Sequence, residues 1–217
     1  MMETFNSVTG VAAAMMQINI DTDQMIPARY LGGTDAKGYG AHLFANERFT
    51  KAGEANPEFI LNQAPFDRAV ILLAGRNFGC GSSRERAPKA LREFGFRCVI
   101  APSFGGIFFN NCFRNGLLPV TLPIEALEQL VHGVEASRGA EPIAVDLQTQ
   151  TIQMPSRQLH FEFQCPESFR QMLLLGLDEI DQTLALKDTI ESWRRQDRLK
   201  RPWAYTEVAQ SSQVPFK

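Results

Sequence analysis

Residues 69–94 read AVILLAGRNFGCGSSRERAPKALREF, and the order of apolar run, glycine turn and helix within them decides how the rest of the chain is organised. Ala69 to Ala74 is continuously apolar and reads as a strand buried on both faces, while Ala87 to Phe94 carries a helical pattern. Between them lies Asn77-Phe78-Gly79-Cys80-Gly81-Ser82-Ser83-Arg84-Glu85-Arg86. A strand that feeds a glycine turn and then a helix start brings backbone N–H groups together without side-chain obstruction, and the helix end adds partial positive charge. Two hydroxyls and a guanidinium sit on that turn. It is therefore the expected working end of the molecule, a site for an anion.

The same letters also have a purely structural reading. Ser82-Ser83-Arg84-Glu85 is S-x-x-E, a capping box in which Ser82 caps the helix and Glu85 reaches back. That explains Ser82 and Glu85 but neither the paired glycines nor Arg84. Pro88 strains the box, because a helix capped by Ser82 would carry a proline beyond its first turn; either the first turn is separate and the main helix starts with Pro88 at its first position, or the helix is kinked. Spacing alone supports a cap and a ligand site equally. Other glycine motifs do not fit: a dinucleotide fingerprint needs glycine where Arg84 stands, a P-loop counted from Gly75 meets Cys80 at its second glycine, and the hydrolase elbow G-x-S-x-G is missing.

Moving outward, the alternation continues. Gly95 stops the helix, Cys98 to Ala101 is a strand, Gly106 to Asn115 a helix stopped by Gly116, Leu117 to Leu122 a strand and Ile124 to Val131 a helix. This β-α-β-α-β order predicts an α/β fold with a parallel sheet and right-handed crossovers, its ligand site beyond the carboxyl ends of the strands. Upstream, Ser7 to Ile20 holds short strand candidates interrupted by Gly10 and ends at Asp21-Thr22-Asp23. A local Asx turn onto Gln24 and Met25 accounts for part of that D-T-D, and a carboxylate offered to a site is the alternative. Arg29-Tyr30-Leu31-Gly32-Gly33-Thr34 then reads as a glycine-rich loop suited to closing over a small ligand. Downstream, Ile143 to Leu147, Thr151 to Met154 and Leu159 to Phe163 are short strands, followed by helices at Glu167 to Leu175 and Lys187 to Lys200. Residues 1–209 are expected to form one domain with C-terminal helices, and 210–217 a disordered tail.

Composition narrows the function classes. The chain has 217 residues, is 44% hydrophobic and carries a formal net charge of −2, enough for a full core and with no global attraction to nucleic acid or membrane. The basic run Trp193 to Lys200 is read as a solvated helical face. No apolar stretch reaches the roughly 18 residues that span a bilayer, and a cytoplasmic location is expected. Cys80, Cys98, Cys112 and Cys165 are irregularly spaced without C-x-x-C, so neither a disulfide framework nor a metal site is expected from this chain, and His42, His132 and His160 add no ligand set.

Five segments in order resemble one family: Asp21 to Pro27 (DTDQMIP), Gly40 to Phe44 (GAHLF), Asn77 to Glu85 (NFGCGSSRE), Ile100 to Phe104 (IAPSF) and Gly116 to Val120 (GLLPV). Together they resemble the small-subunit family of 3-isopropylmalate dehydratases, relatives of the aconitases. The resemblance runs from about Phe5 to Ala185. It implies a swivelling domain of β/β/α layers and a heteromeric hydro-lyase whose separate large subunit carries a [4Fe-4S] cluster. It also implies dehydration and rehydration of a small 2-hydroxy dicarboxylic acid, 2-isopropylmalate to 3-isopropylmalate in leucine biosynthesis, with no cofactor or metal bound by this chain. By the same resemblance Ser82 is the catalytic base and Asp23 a further active-site residue. Ser83, Arg84, Gly81 and Thr22 are implied to bind substrate, and Arg29 to Thr34 to set specificity. Two letters depart from the pattern. Arg86 stands where many relatives have histidine, and Gly32-Gly33-Thr34-Asp35 lacks the arginine with which aconitases hold a third carboxylate. That loss suits an apolar branch, and a smaller one, as in citramalate or dimethylmalate, fits as well as isopropyl. A binding module without a catalytic partner is the non-enzymatic alternative.

Overall fold

The computed structural model describes residues 3–30, 32 and 38–205. The chain divides into two compact units, Met1–Asp178 and Glu179–Lys217. In the first unit the order is strands β1 (Ser7–Gly10) and β2 (Ala12–Met15), short helices α1 (Thr22–Met25) and α2 (Ala45–Arg48), then β3 (Ile71–Ala74), α3 (Arg86–Phe94), β4 (Cys98–Ala101), α4 (Gly106–Arg114), β5 (Leu118–Thr121) and α5 (Ile124–Ser137). Strands β6 (Ile143–Asp146), β7 (Thr151–Met154) and β8 (Leu159–Glu162) and helix α6 (Glu167–Leu175) complete it. The second unit contains α7 (Glu179–Ala185) and α8 (Lys187–Lys200). The tail expected over 210–217 lies outside the described residues.

Two four-stranded sheets form. β2-β3-β4-β5 is parallel throughout, with Ile71 opposite Cys98 and Cys98 opposite Leu118. β1-β6-β7-β8 is antiparallel. The expected β-α-β-α-β core is present with β2 added as a fourth parallel strand. The break at Gly10 thus separates strands of two different sheets.

Strict alternation along the central strands makes two cores. Ile71 and Leu73 of β3, with Cys98 and Ile100 of β4, face a cluster shared with α5, α6 and the antiparallel sheet, which contributes Ile143, Val145 and Ile152. Leu72, Ala74, Val99 and Ala101 face the opposite way, onto α3 through Ala87, Ala90 and Leu91 and onto Leu43, Phe44 and Phe78. Burial on both faces is why these strands are uninterrupted apolar runs.

The capping box is not realised. α3 starts at Arg86 with Glu85 at the cap position and no side-chain capping bond, so Ser82 lies in the turn ahead of the helix. Pro88 decides the matter physically. As the third helical residue it falls in the first turn, where its missing N–H has no helical partner to lose.

Leu73→Ala removes a fully buried side chain from the larger core, and it should lower the unfolding free energy in denaturant titrations by about 2–5 kcal/mol. Leu199→Ala, at a site 85% exposed, should change stability by less than about 0.5 kcal/mol. A second expectation concerns acid. Glu3 pairs with Arg92 and Arg97, and hydrogen bonds from Arg97 first and Arg92 second hold its carboxyl below the usual range. Its stabilising contribution is present above the unfolded-state value and is lost as pH falls through the lower folded-state value. Glu3→Gln should therefore flatten the acid limb of the stability–pH curve below about pH 5, measured by thermal melts.

Candidate active site

The site stands at the carboxyl ends of the parallel strands, where three chain crossings meet. After β2, Asn19 adopts a left-handed conformation and Ile20 accepts a hydrogen bond from the Gly79 N–H at 2.8 Å, while Asp21 bridges to Cys80 in parallel. After β3, Phe78 donates to the Ser103 carbonyl at 3.0 Å and accepts from Gly105 at 2.9 Å, continuing the sheet across to the end of β4. The glycine turn is thus an extension of the sheet, hydrogen-bonded on both edges. Gly79, at φ +73°, and Gly105 lie so close that a Cβ on Gly79 would fall on the Phe108 ring and one on Gly105 on the Gly79 carbonyl. Phe78, Phe104 and Phe108 back the turn with edge-on and stacked rings, Phe78 to Phe108 at 5.5 Å between centroids.

The two aspartates of D-T-D divide the readings between them. Asp21 is the local turn: its Oδ1 accepts from the Gln24 N–H at 2.7 Å and caps α1. Asp23 is the outward-facing carboxylate, and it forms an ion pair with Arg84. Thr22 is 2% exposed, and its hydroxyl donates to the Ser82 carbonyl at 2.9 Å, tying the two loops together. Arg84 is the hub of the constellation. Its Nη2 pairs with Asp23, its Nη1 donates to the Ile26 carbonyl at 3.1 Å and its Nε donates to Ser82 Oγ at 3.3 Å. Close by, burial first and the charge of Asp21 in lesser part push the Glu47 carboxyl up.

A cavity of about 190 Å³ opens at this point, lined by Thr22, Gly81, Ser82 and Arg84 from the first two crossings and by Gly105, Gly106 and Ile107 from the third. The last three are the start of α4, whose cap position is Gly105 with no side chain to cover it. The helix end that lines the cavity is thus that of α4, whereas the sequence pattern pointed to the helix following Ser82. The glycine pair 105–106 directly after β4 repeats the strand–glycine–helix pattern of residues 71–94 and was the available signal. Gly81 and Ser82 are exposed at the mouth. Ser83 lines a separate hollow with Glu85 and Arg86 next to Arg84.

The proposed specificity residues divide. Arg29 and Tyr30 line a larger cavity of about 650 Å³ with His42, Asn46 and Lys51. Gly32 is exposed, and Leu31, Gly33 and Thr34 lie outside the described residues. The bond between the Arg84 guanidinium and the Ser82 hydroxyl lies at the smaller cavity.

Among the described residues no group of three or more His, Cys, Asp or Glu side chains comes together to hold a metal ion. All four cysteines are free; Cys98 and Cys112 are buried and their thiols pushed up by desolvation, and burial pushes Cys165 up to about 11. These residues do not fit an iron–sulfur cluster. No described helix is long and apolar enough to cross a membrane.

Comparison with known proteins bears on this geometry. The family model of the aconitase C-terminal domain matches residues 2–125, the span that contains β1 to β5 and every residue of the cavity. The 3-isopropylmalate dehydratase small subunit of Rhodospirillum centenum is 47% identical over 203 residues, covering 94% of this chain and 99% of that protein. That of Rhodospirillum rubrum is 48% identical over 205 residues, covering 93% and 97%. The crystal structure of 3-isopropylmalate dehydratase from Methanocaldococcus jannaschii superposes with a TM-score of 0.61 at 25% identity, over 87% of this chain and 99% of that one. A family match across more than half of the chain, and close to half identity along nearly its full length, place the protein: it belongs to the aconitase C-terminal domain family, among the small subunits of 3-isopropylmalate dehydratase.

Proposed function

We propose that the chain is the small subunit of a hydro-lyase that isomerises 2-isopropylmalate to 3-isopropylmalate by dehydration and rehydration in leucine biosynthesis. It would work in the cytoplasm as one part of a heteromer with a large subunit. The observation that carries this reading is the hydrogen bond from Arg84 Nε to Ser82 Oγ. A serine hydroxyl is a poor base because its alkoxide is unstable in water. A guanidinium donating to that oxygen favours the ionised form and so makes proton removal from the carbon beside a carboxylate accessible. The relatives' name as small subunits supports a large-subunit partner, and the exposure of Ser82 at the mouth of a shallow cavity suits a site completed by another chain.

Each residue then has a share. Arg84 exchanges Asp23 for a substrate carboxylate, which its planar fork can grip with two parallel hydrogen bonds, and Asp23 holds the guanidinium in place until then. Thr22 sets the backbone of Ser82 through its bond to the carbonyl and, with Gly81 and the α4 start, shapes the wall against which the substrate lies. Ser83, exposed beside Arg84, offers a further hydroxyl to the same carboxylate. A [4Fe-4S] cluster on the large subunit would supply Lewis acidity at the departing hydroxyl. Arg29 and Tyr30, in the larger cavity, are given the apolar branch of the substrate.

Mixing this chain with a cluster-loaded large subunit should give turnover that neither gives alone, followed by the absorbance of the unsaturated intermediate. Ser82→Ala should abolish that turnover without weakening assembly, and full activity in this variant would remove Ser82 from the role of base. Arg84→Lys keeps the charge but loses the fork, and it should lower kcat/KM by about 10²–10³-fold in the same assay. A loss below about threefold would show that Arg84 does not hold the substrate carboxylate.

A further inference from the structure

One face of α3 grips the segment on the far side of the larger cavity. Glu93 Oε2 accepts from the N–H of Tyr39 at 2.5 Å and from that of Gly40 at 3.0 Å. Arg86 and Lys89 both lie over the Tyr39 ring, with Cζ 5.7 Å and Nζ 5.2 Å from its centroid, and Lys89 pairs loosely with Glu93 at 3.8 Å. Positions 86, 89 and 93 share one side of a helix, so the three side chains reach the same two residues. Gly40 is buried against the backbone of Glu93 and Phe94, where a Cβ would not fit. The grip is then passed on. The His42 N–H bonds to the Tyr39 carbonyl at 2.9 Å, and the His42 ring stacks on Tyr30 at 3.9 Å and 9°, with Arg29 over the other part of that aromatic layer, 4.7 Å from the Tyr30 centroid.

These contacts close a circuit with the site. Arg84, just before α3, holds Asp23 and the Ile26 carbonyl; the chain runs on to Arg29 and Tyr30; His42 and Tyr39 lead back to α3. We propose that Tyr39 is a positioning residue for substrate selectivity. Pinned to α3 by Arg86, Lys89 and Glu93, it holds Arg29 and Tyr30, through His42, in a set place relative to the Ser82–Arg84 turn at the start of the same helix. Arg86, the letter that departs from the family pattern, belongs to this clamp through its place over the Tyr39 ring. The inference rests on the functional reading above, because it gives the Arg29–Tyr30 flank the part of the substrate that bears the branch. A branch is discriminated by how closely the wall fits it, and a wall free to shift loses discrimination before it loses chemistry.

The test is steady-state kinetics of the assembled two-subunit enzyme on 2-isopropylmalate and on citramalate. Tyr39→Ala should reduce the ratio of kcat/KM for the preferred over the other substrate by about 10-fold, chiefly through KM, with kcat within about twofold. Tyr39→Phe keeps the ring and should restore the wild-type ratio. Arg86→Gln and Glu93→Ala, on the outer face of the helix, should each shift the ratio in the same direction by about two- to threefold. A ratio unchanged in Tyr39→Ala, or a Tyr39→Phe variant as impaired as Tyr39→Ala, would overturn the proposal. Should Tyr39→Ala not assemble, an unchanged ratio in both Arg86→Gln and Glu93→Ala does so. Wild-type enzyme inactive on both substrates would instead overturn the functional reading, and the inference with it.

Discussion

The guanidinium of Arg84 binds three groups at once, one on its own turn and two on the segment after β2. It binds Ser82 two residues before it, the Asp23 side chain and the Ile26 carbonyl, so the turn after β3 and the segment after β2 share one cation. Its side chain is only 16% exposed while that of Asp23 is 56% exposed. The positive partner is thus fixed in the protein and the negative one faces outward, the arrangement needed if a ligand carboxylate is to take the place of Asp23. Because Asp23 is open to water, it can turn away from the guanidinium without leaving a buried carboxylate unpaired. The fold depends on burial, and the site depends on this one cation.

That separation is possible because the sheet supports the site from both sides. β3 and β4 place alternate residues in two distinct cores, so the strand ends from which the turns of the candidate site emerge cannot tilt toward either layer without opening a cavity in the other. The phenylalanines extend this support beyond the strands: from Phe78 under the turn, through Phe104, Phe108 and Phe109, to Phe113 stacked on Phe169 of α6 at 4.3 Å. The base of the loop that carries Ser82 and Arg84 is therefore a loop in connectivity only. Phe78 and Gly79 are hydrogen-bonded like a strand and buried, while Gly81 to Ser83 stand out into solvent.

Much of this was legible from local patterns, and the reasons for the rest are physical. Strands β3, β4 and β5 announce themselves because burial on both faces demands continuous apolar runs, and Gly95 and Gly116 mark helix ends because both adopt positive φ. That β1 and β2 join different sheets was not legible, since the strands are separated by a single residue and their partners lie far along the chain. The capping box at Ser82, one of two readings of the turn, is not formed, because it is a pattern of four letters, whereas the helix starts at Arg86 with Pro88 in its first turn. Of D-T-D, the cap at Asp21 was readable as local chemistry, but the pairing of Asp23 with Arg84 required tertiary contact. The contribution of Gly105 and Gly106 was missed for the same reason: their meaning comes from what they touch. Helix α7 gave no pattern that set it apart from its neighbours.

The contact between Gly79 and Gly105 has a consequence for how such a site can change over generations. A Cβ on Gly105 would fall on the Gly79 carbonyl and one on Gly79 on the Phe108 ring of the helix that Gly105 leads into, so neither position is free to accept a new side chain while these neighbours stay as they are. Drift at one turn is thereby tied to drift at the other, and the pair behaves as a single heritable trait. New substrates for this scaffold are then to be sought through side chains that are not interlocked in this way, such as Arg29 and Tyr30 in the larger cavity, where substitutions can accumulate one at a time.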